Sequence, residues 1–238
     1  MREPYWTDGR ISIYHGDAAE ILPELEDQSV DLVLTDPPYS AKTHQAVNRS
    51  ASVLGIGTEL GFESMTNAEL YGTFAELGRI TRRWIIATLD MTTAAEFLLD
   101  PPIGLRTLRL GAWLKLTSMP QLSGDRPALG WEPIAYMHRA DERARWNGGG
   151  RAGNYVLNAV TADRTGHPTP KPLSMYADFA RLFSDPGDLI LDPFAGSGTS
   201  LRAAKDEGRR AIGIELNERW CEVAARRLGQ DVLDLGGL

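Results

Sequence analysis

The run Thr35-Asp36-Pro37-Pro38-Tyr39 closes the apolar stretch Val30-Asp31-Leu32-Val33-Leu34 and sets one carboxylate, two residues without backbone N–H groups and one aromatic ring at a strand end. Two consecutive prolines keep the backbone stiff and extended, so its carbonyls are left to accept hydrogen bonds. An acceptor-rich strand end of this kind suits a planar group that carries an amino function. In isolation, Asp-Pro-Pro is also an ordinary way to end a strand, with Tyr39 packed on the core.

A second constellation lies far downstream. Asp188-Leu189-Ile190-Leu191-Asp192 is a short apolar run, Pro193-Phe194-Ala195-Gly196-Ser197-Gly198 is a loop with two glycines, and Thr199-Ser200-Leu201-Arg202-Ala203-Ala204-Lys205 forms a helix capped by Thr199 or Ser200. Strand, glycine loop and helix in that order build a Rossmann-like nucleotide site with the helix N-terminus aimed at the ligand. The pattern is Phe-x-Gly-x-Gly rather than Gly-x-Gly-x-x-Gly. Phe194 and Asp192 would crowd a pyrophosphate but fit a nucleoside with an amino-acid tail. Gly208 then stops the helix, and Arg210-Ala211-Ile212-Gly213-Ile214-Glu215 ends in an acid. An acid about twenty residues beyond such a loop is placed to hold ribose hydroxyls, though Glu215 also reads as a solvated strand end.

Taken together, Asp36-Pro37-Pro38-Tyr39 and Asp192-Pro193-Phe194-Ala195-Gly196-Ser197-Gly198 resemble the amino-group DNA methyltransferases that use S-adenosylmethionine. The Asp-Pro-Pro-Tyr element precedes the glycine loop, as in the circularly permuted beta group of that family. Pro168-Thr169-Pro170-Lys171-Pro172 matches the family's motif leading into the cofactor half-site, and Gly16-Asp17-Ala18 a further element that borders it. The resemblance spans most of residues 10–40 and 165–228.

The resemblance implies roles for these residues. Asp36 and the Pro37 carbonyl accept the two amino hydrogens of a target base, beside Pro38, while Tyr39 stacks on that base once it is flipped out of double-stranded DNA. Held that way, the nitrogen turns pyramidal and attacks a sulfonium methyl in line, so positioning and electrostatics supply the acceleration. On the cofactor side, Gly196 and Gly198 permit close backbone approach and Phe194 packs on the ligand, with Asp192, Ala195, Ser197 and Thr199 completing the loop. Glu215 binds the ribose, Asp17 lies near the adenine amino group, and Thr169 with Lys171 near the methionine carboxylate. By itself, a lysine between prolines is also simply solvated. Trp113-Leu114-Lys115 and Trp131-Glu132-Pro133 look like the strand-borne elements that border the target base in related enzymes, or are core aromatics.

Within this family Asp at position 36 favours adenine N6 as the substrate, since cytosine enzymes often carry Ser there. Cytosine N4, RNA or a protein amide are the alternatives, and a catalytically silent nucleic-acid-binding module is a third class. Glutamine methyltransferases carry Asn-Pro-Pro-Tyr after the glycine loop, the reverse of the order here. The setting implied is bacterial, archaeal or phage, in a restriction-modification system or alone. The enzyme would be a monomer or homodimer, with a partner subunit possible.

The elements that must position these residues follow from periodicity. Strands are predicted at 11–15, 30–35, 84–89, 107–116, 133–138, 188–192 and 210–215, and helices at 17–26, 67–82, 92–99, 173–184, 199–207 and 217–228. Alternating strands and helices predict an α/β, Rossmann-like, doubly wound and mostly parallel sheet, with 107–116 and 133–138 as an antiparallel edge. Residues 1–238 are read as a single catalytic domain. The polar, glycine-rich and weakly periodic stretches 40–66 and 139–166 are read as target-recognition or DNA-contact loops.

Composition sets the outer bounds. A chain of 238 residues buries a sizeable core in one domain. It has no apolar run of about 18 residues and no charged-then-apolar leader, which predicts a cytoplasmic protein without membrane attachment. Its single cysteine, Cys221, forms no intramolecular disulfide and reads as a small buried hydrophobe. The four histidines are scattered and no cysteine cluster accompanies them, so a metal site is not expected, which disfavours a zinc deaminase. Net charge is −7, yet residues 1–31 hold two arginines against eight carboxylates and so carry nearly all of it. Residues 138–172 instead carry Arg139, Arg143, Arg145, Arg151, Arg164 and Lys171 against Asp141, Glu142 and Asp163, a local excess suited to a phosphate backbone.

Overall fold

The computed structural model describes residues 2–38, 65–116, 125, 127–158 and 171–230. Nine strands form one sheet: β1 (Trp6–Thr7), β2 (Ile11–His15), β3 (Val30–Thr35), β4 (Thr81–Thr88), β5 (Leu105–Lys115), β6 (Trp131–Arg139), β7 (Tyr155–Leu157), β8 (Leu189–Asp192) and β9 (Arg210–Glu215). Their order across the sheet is β1-β2-β9-β8-β3-β4-β6-β5-β7. The strands from β2 to β4 run parallel, β6 is antiparallel to both β4 and β5, and β1 is antiparallel to β2.

Burial explains why the central strands read as unbroken apolar runs. Every residue of β3 is buried, because helices cover both faces of the sheet. Side chains alternate between faces, so Leu32 and Leu34 join a layer with Ile11, Ile13, Ile190 and Phe179, while Val33 joins Phe74, Phe97, Ile85 and Ile214 on the other side, with Val30 beside it across a register shift between Val30 and Leu32. The first layer is roofed by α4 (Leu173–Phe183), α5 (Thr199–Asp206) and α6 (Glu218–Gly229), the second by α1 (Ala18–Ile21), α2 (Asn67–Ile80) and α3 (Met91–Leu99). Local signals set the helix starts. Thr66 and Glu69 form a reciprocal capping box on α2, and Asp90 accepts from the Thr92 and Thr93 amides at the start of α3.

The expected doubly wound, mostly parallel sheet is the one observed, and β2, β3 and β9 have the predicted boundaries. Four details differ. Residues 17–26 form only one α-helical turn, followed by a 3₁₀ turn at Leu22–Glu24 around Pro23. Strand β6 lies inside the sheet, and the outer positions belong to β1 and β7, which are too short to carry a periodic signal. The described part of 139–166 packs on the body of the protein. Trp146 tilts against Phe183 at 5.5 Å, the Asn147 side-chain amide donates to the carbonyls of Arg181 and Ser184, and β7 pairs with β5. Finally, Gly198 rather than Thr199 or Ser200 is the N-cap of α5. Residues 40–64 and 159–166 of the two expected loops lie outside the described residues.

From β8 the chain crosses through α5 to β9 on one side, and from β3 it reaches β4 beyond α2 on the other. The carboxyl ends of β8 and β3 therefore flank the point where the winding reverses, which is where open α/β sheets leave a crevice.

Candidate active site

That crevice is a cleft of about 550 Å³, within the range of small-molecule sites. Asp36, Pro37 and Pro38 from the end of β3 and Asp192 to Ser197 from the end of β8 face each other across it. Thr199 and Ser200 at the start of α5, Glu215 at the tip of β9, Gly16 and Asp17 after β2, and Lys171 ahead of α4 complete that side. The two sequence constellations, more than 150 residues apart, thus meet because β3 and β8 are hydrogen-bonded neighbours, with Val33 opposite Leu191. Tyr39 and Thr169 lie outside the described residues.

Asp36 is held on both carboxylate oxygens. The Thr88 hydroxyl donates to Oδ1 at 2.5 Å, and the Lys171 ammonium donates to Oδ2 at 2.7 Å. Each oxygen keeps a further lone pair for a ligand. Lys171 is not solvated, since its side chain is only 5% exposed, and its ammonium also lies 3.4 Å from Glu132. Glu132 in turn pairs with Lys115, whose ammonium sits 4.9 Å over the Trp113 ring. Burial alone would raise the Glu132 carboxyl, but Lys171 and Lys115 hold it below its ordinary range. The charges alternate along the sheet edge as Lys115, Glu132, Lys171 and Asp36.

Backbone and side chains both organise the glycine loop. Gly196 and Gly198 adopt positive φ, 49° and 78°, and a β-carbon on Gly198 would approach the Ala224 β-carbon to 3.0 Å. Glu215 accepts from the Gly196 amide at 2.8 Å with one oxygen and from the Asn217 amide at 2.8 Å with the other, so it ties the loop to the entry of α6. Burial raises its carboxyl above the ordinary value. Asp192 is buried beneath the loop, accepting from the Phe194 amide at 3.0 Å and from the Ser200 hydroxyl. Its carboxyl is pushed up to about 7, chiefly by burial and further by the neighbouring charge of Asp36. Thr199 accepts from Arg227 at 3.1 Å, Ala195 and Ser197 are buried, and Phe194 is part-buried along the cleft wall. Asp17 caps α1 by accepting from the Ala19 amide at 2.8 Å.

The donor set favours a particular ligand chemistry. Asp17, Asp36, Glu69, Glu76, Asp192 and Glu215 line the cleft against a single lysine that is already paired, so a pyrophosphate is poorly matched. A ligand bearing hydroxyls, an amine and a positive charge fits these acids. Among the described residues no group of acids, histidines and cysteines is arranged to hold a metal ion, and no helix is long and apolar enough to cross a membrane. Cys221 is buried in α6 with its thiol pushed up to about 12 by desolvation, which leaves no thiolate for chemistry. On the surface, Arg139 pairs with Asp141, Arg145 with Asp185 and Arg151 with Asp178, so with Lys171 four of the six basic residues counted in 138–172 have acidic partners. Periodicity did not single out Thr88 or Tyr176, both buried at the site. Their only signal is position near the cleft edge of β4 and on α4, which requires the sheet order.

Residues 131–226 match the family described as DNA methylase, the one that groups N6 and N4 amino methyltransferases. Along nearly the whole chain, the sequence is 24% identical to the type II methyltransferase M2.DpnII of Streptococcus pneumoniae, covering 96% of this chain and 93% of that protein. It is 23% identical to M2.LlaDCHI of Lactococcus lactis subsp. cremoris, with 97% and 93% covered. The fold is shared with M1.HpyAVI in its complex with SAM (TM-score 0.66, 24% identity, 92% of this chain and all of that one). It is also shared with the cytosine-N4-specific PvuII DNA methyltransferase (TM-score 0.75, 16% identity, 97% and 90% covered). The carboxylate-Pro-Pro strand end, the glycine loop that lines the same cleft and these similarities along nearly the whole chain support an amino-group DNA methyltransferase.

Proposed function

We propose that this protein transfers a methyl group from S-adenosylmethionine to the N6 amino group of an adenine flipped out of double-stranded DNA. The observation that carries the reading is Asp36, fixed on both oxygens at the mouth of β3 and facing the glycine loop of β8 across one cleft. An exocyclic amino group delocalises its lone pair into the ring and is a poor nucleophile until its hydrogens are held. Asp36 accepts one and the Pro37 carbonyl the other. The prolines fix the distance between these acceptors, so little reorganisation is needed at the moment of reaction.

S-adenosylmethionine supplies the electrophilic methyl on a sulfonium centre. Glu215 is placed for the ribose hydroxyls and Asp17 for the adenine amino group, while the backbone at Gly196 and Gly198 leaves room for close approach. In this reading Lys171 serves Asp36 rather than a methionine carboxylate, because its ammonium already lies on Asp36 and Glu132. The acidic lining attracts a cationic cofactor and, after transfer, holds the neutral product less firmly. M1.HpyAVI, which shares the fold, was solved with SAM, and this supports the assignment of the cofactor.

Adenine is preferred over cytosine because Asp at position 36 is the commoner residue in adenine enzymes of this kind, where cytosine enzymes often carry Ser. The test is incubation with labelled S-adenosylmethionine and duplex DNA, followed by digestion and separation of the nucleosides. N6-methyladenine is the expected product. N4-methylcytosine would reassign the base, and no labelled nucleoside with any duplex would refute the reading.

A further inference from the structure

The four alternating charges at the sheet edge extend well beyond Asp36 and link residues from four separate stretches of the sequence. Lys115 closes β5, Glu132 is the second residue of β6 and Lys171 precedes α4, so residues from three separate segments form a chain of ion pairs that ends on the carboxylate. Their burial makes the arrangement costly unless each charge is compensated. The Lys171 and Glu132 side chains are only 5% and 13% exposed, and an uncompensated charge at such a depth either neutralises or moves.

We propose that Glu132, braced by Lys115, is a positioning residue for the reaction. It holds the Lys171 ammonium on Asp36 and so fixes the carboxylate that faces the target amino group. This deepens the methyltransferase reading and rests on it for the identity of the amino group. Among the described residues, the titratable groups around the Lys171 ammonium are Asp36 on β3, Glu132 on β6, Lys115 on β5, Tyr176 on α4 and Asp192 on β8. Two carboxylates lie within 4 Å of it, and only one of them belongs to the Asp-Pro-Pro run. With Glu132 neutral, Lys171 loses one of its close counter-charges in a buried place, and its ammonium deprotonates at lower pH. Asp36 then loses a donor and with it one of the two contacts that set its orientation.

The experiment uses the full chain with Glu132→Gln, Glu132→Asp and Lys115→Met. Single-turnover methyl transfer is followed against pH, S-adenosylmethionine affinity is measured by equilibrium titration, and the Lys171 side chain is titrated by NMR in lysine-labelled protein. Glu132→Gln is expected to lower the transfer rate on the order of 10²-fold with cofactor affinity within about threefold. It should also move the alkaline limb of the profile, and the Lys171 titration, to lower pH. Glu132→Asp keeps the charge and should restore the profile. Lys115→Met removes a cation from beside Glu132 and should move the Lys171 titration the opposite way, to higher pH. A merely structural role would lower the rate by the same factor at every pH and leave Lys171 where it was, and that result overturns the proposal. Should Glu132→Gln fail to fold, the upward shift in Lys115→Met decides alone. Should the wild type methylate no DNA, the functional reading falls, while the two opposed Lys171 shifts still decide whether Glu132 controls that ammonium.

Discussion

Replacing Asp192 with Asn should change how the stability of this protein depends on pH. The Asp192 carboxyl is buried beneath the glycine loop and raised from 3.8 to about 7, with burial as the main cause. A carboxyl whose pKa is higher folded than unfolded binds its proton more tightly in the native state, so it stabilises the fold at low pH. That contribution is lost as pH rises from the unfolded value through the folded one. A rise of about three units, at ~1.4 kcal/mol each, sets a ceiling of about 4 kcal/mol for the whole window. Between about pH 5 and pH 7.5 the part lost is roughly 2–3 kcal/mol. Asn is nearly isosteric, its oxygen still accepts from the Phe194 amide, and its nitrogen faces the Ser200 hydroxyl, so the variant keeps the contacts without the titration. Urea unfolding followed by tryptophan fluorescence at the two pH values measures both proteins; Trp84, Trp113 and Trp220 are buried and report on the core. Glu215, also raised, and Glu132, lowered, titrate in both proteins and cancel in the difference. The expected result is that Asp192→Asn gains roughly 2–3 kcal/mol on the wild type in going from pH 5 to pH 7.5. A difference between the two proteins that stays constant with pH, or that moves the other way, refutes the reasoning.

Other substitutions test the site more directly. Asp36→Ala should lower methyl transfer at least 10²–10³-fold, about the loss of a preorganised electrostatic contact, with cofactor affinity within a few fold; weakened cofactor binding with normal turnover at saturation would overturn the role of Asp36. Glu215→Ala should weaken S-adenosylmethionine binding by about tenfold or more, as a charged hydrogen-bond acceptor and the tether of Gly196 are lost together, and an unchanged equilibrium titration would remove Glu215 from the cofactor site. Gly198→Ala should cost about 1–3 kcal/mol in denaturant unfolding, because φ is 78° and the new β-carbon meets Ala224 at 3.0 Å; a stability equal to wild type would refute that strain.

Much of the fold was legible because its central strands are buried on both faces. Val30–Thr35 and Arg210–Glu215 are uninterrupted and bounded by turn or capping residues, and their limits fell where periodicity put them. The edges were not legible. Trp6–Thr7 and Tyr155–Leu157 are strands only because a neighbour supplies hydrogen bonds, and two or three residues carry no pattern of their own. At the site, Asp36, Asp192, Gly196, Gly198 and Glu215 stood out because strand ends and tight turns restrict residue type. The place of Lys171 did not stand out, since a lysine between prolines looks solvated until β5 and β6 bring Lys115 and Glu132 to the same edge.

The sequence by itself determined the chemical parts: a stiff acceptor pair at Asp36-Pro37, a glycine loop ahead of a helix, and an acid at the end of the next strand. These are local, because backbone restrictions and capping act over a few residues. Tertiary structure alone decided which parts share a cleft and what charges surround them. Strand order set β3 beside β8 at the point where the winding reverses, and the antiparallel run of β6 brought its first residues, including Glu132, to the carboxyl end of β4. Coulombic interaction depends on distance in space rather than along the chain, so the partners of Asp36 and the proton affinity of Asp192 exist only once the sheet has formed.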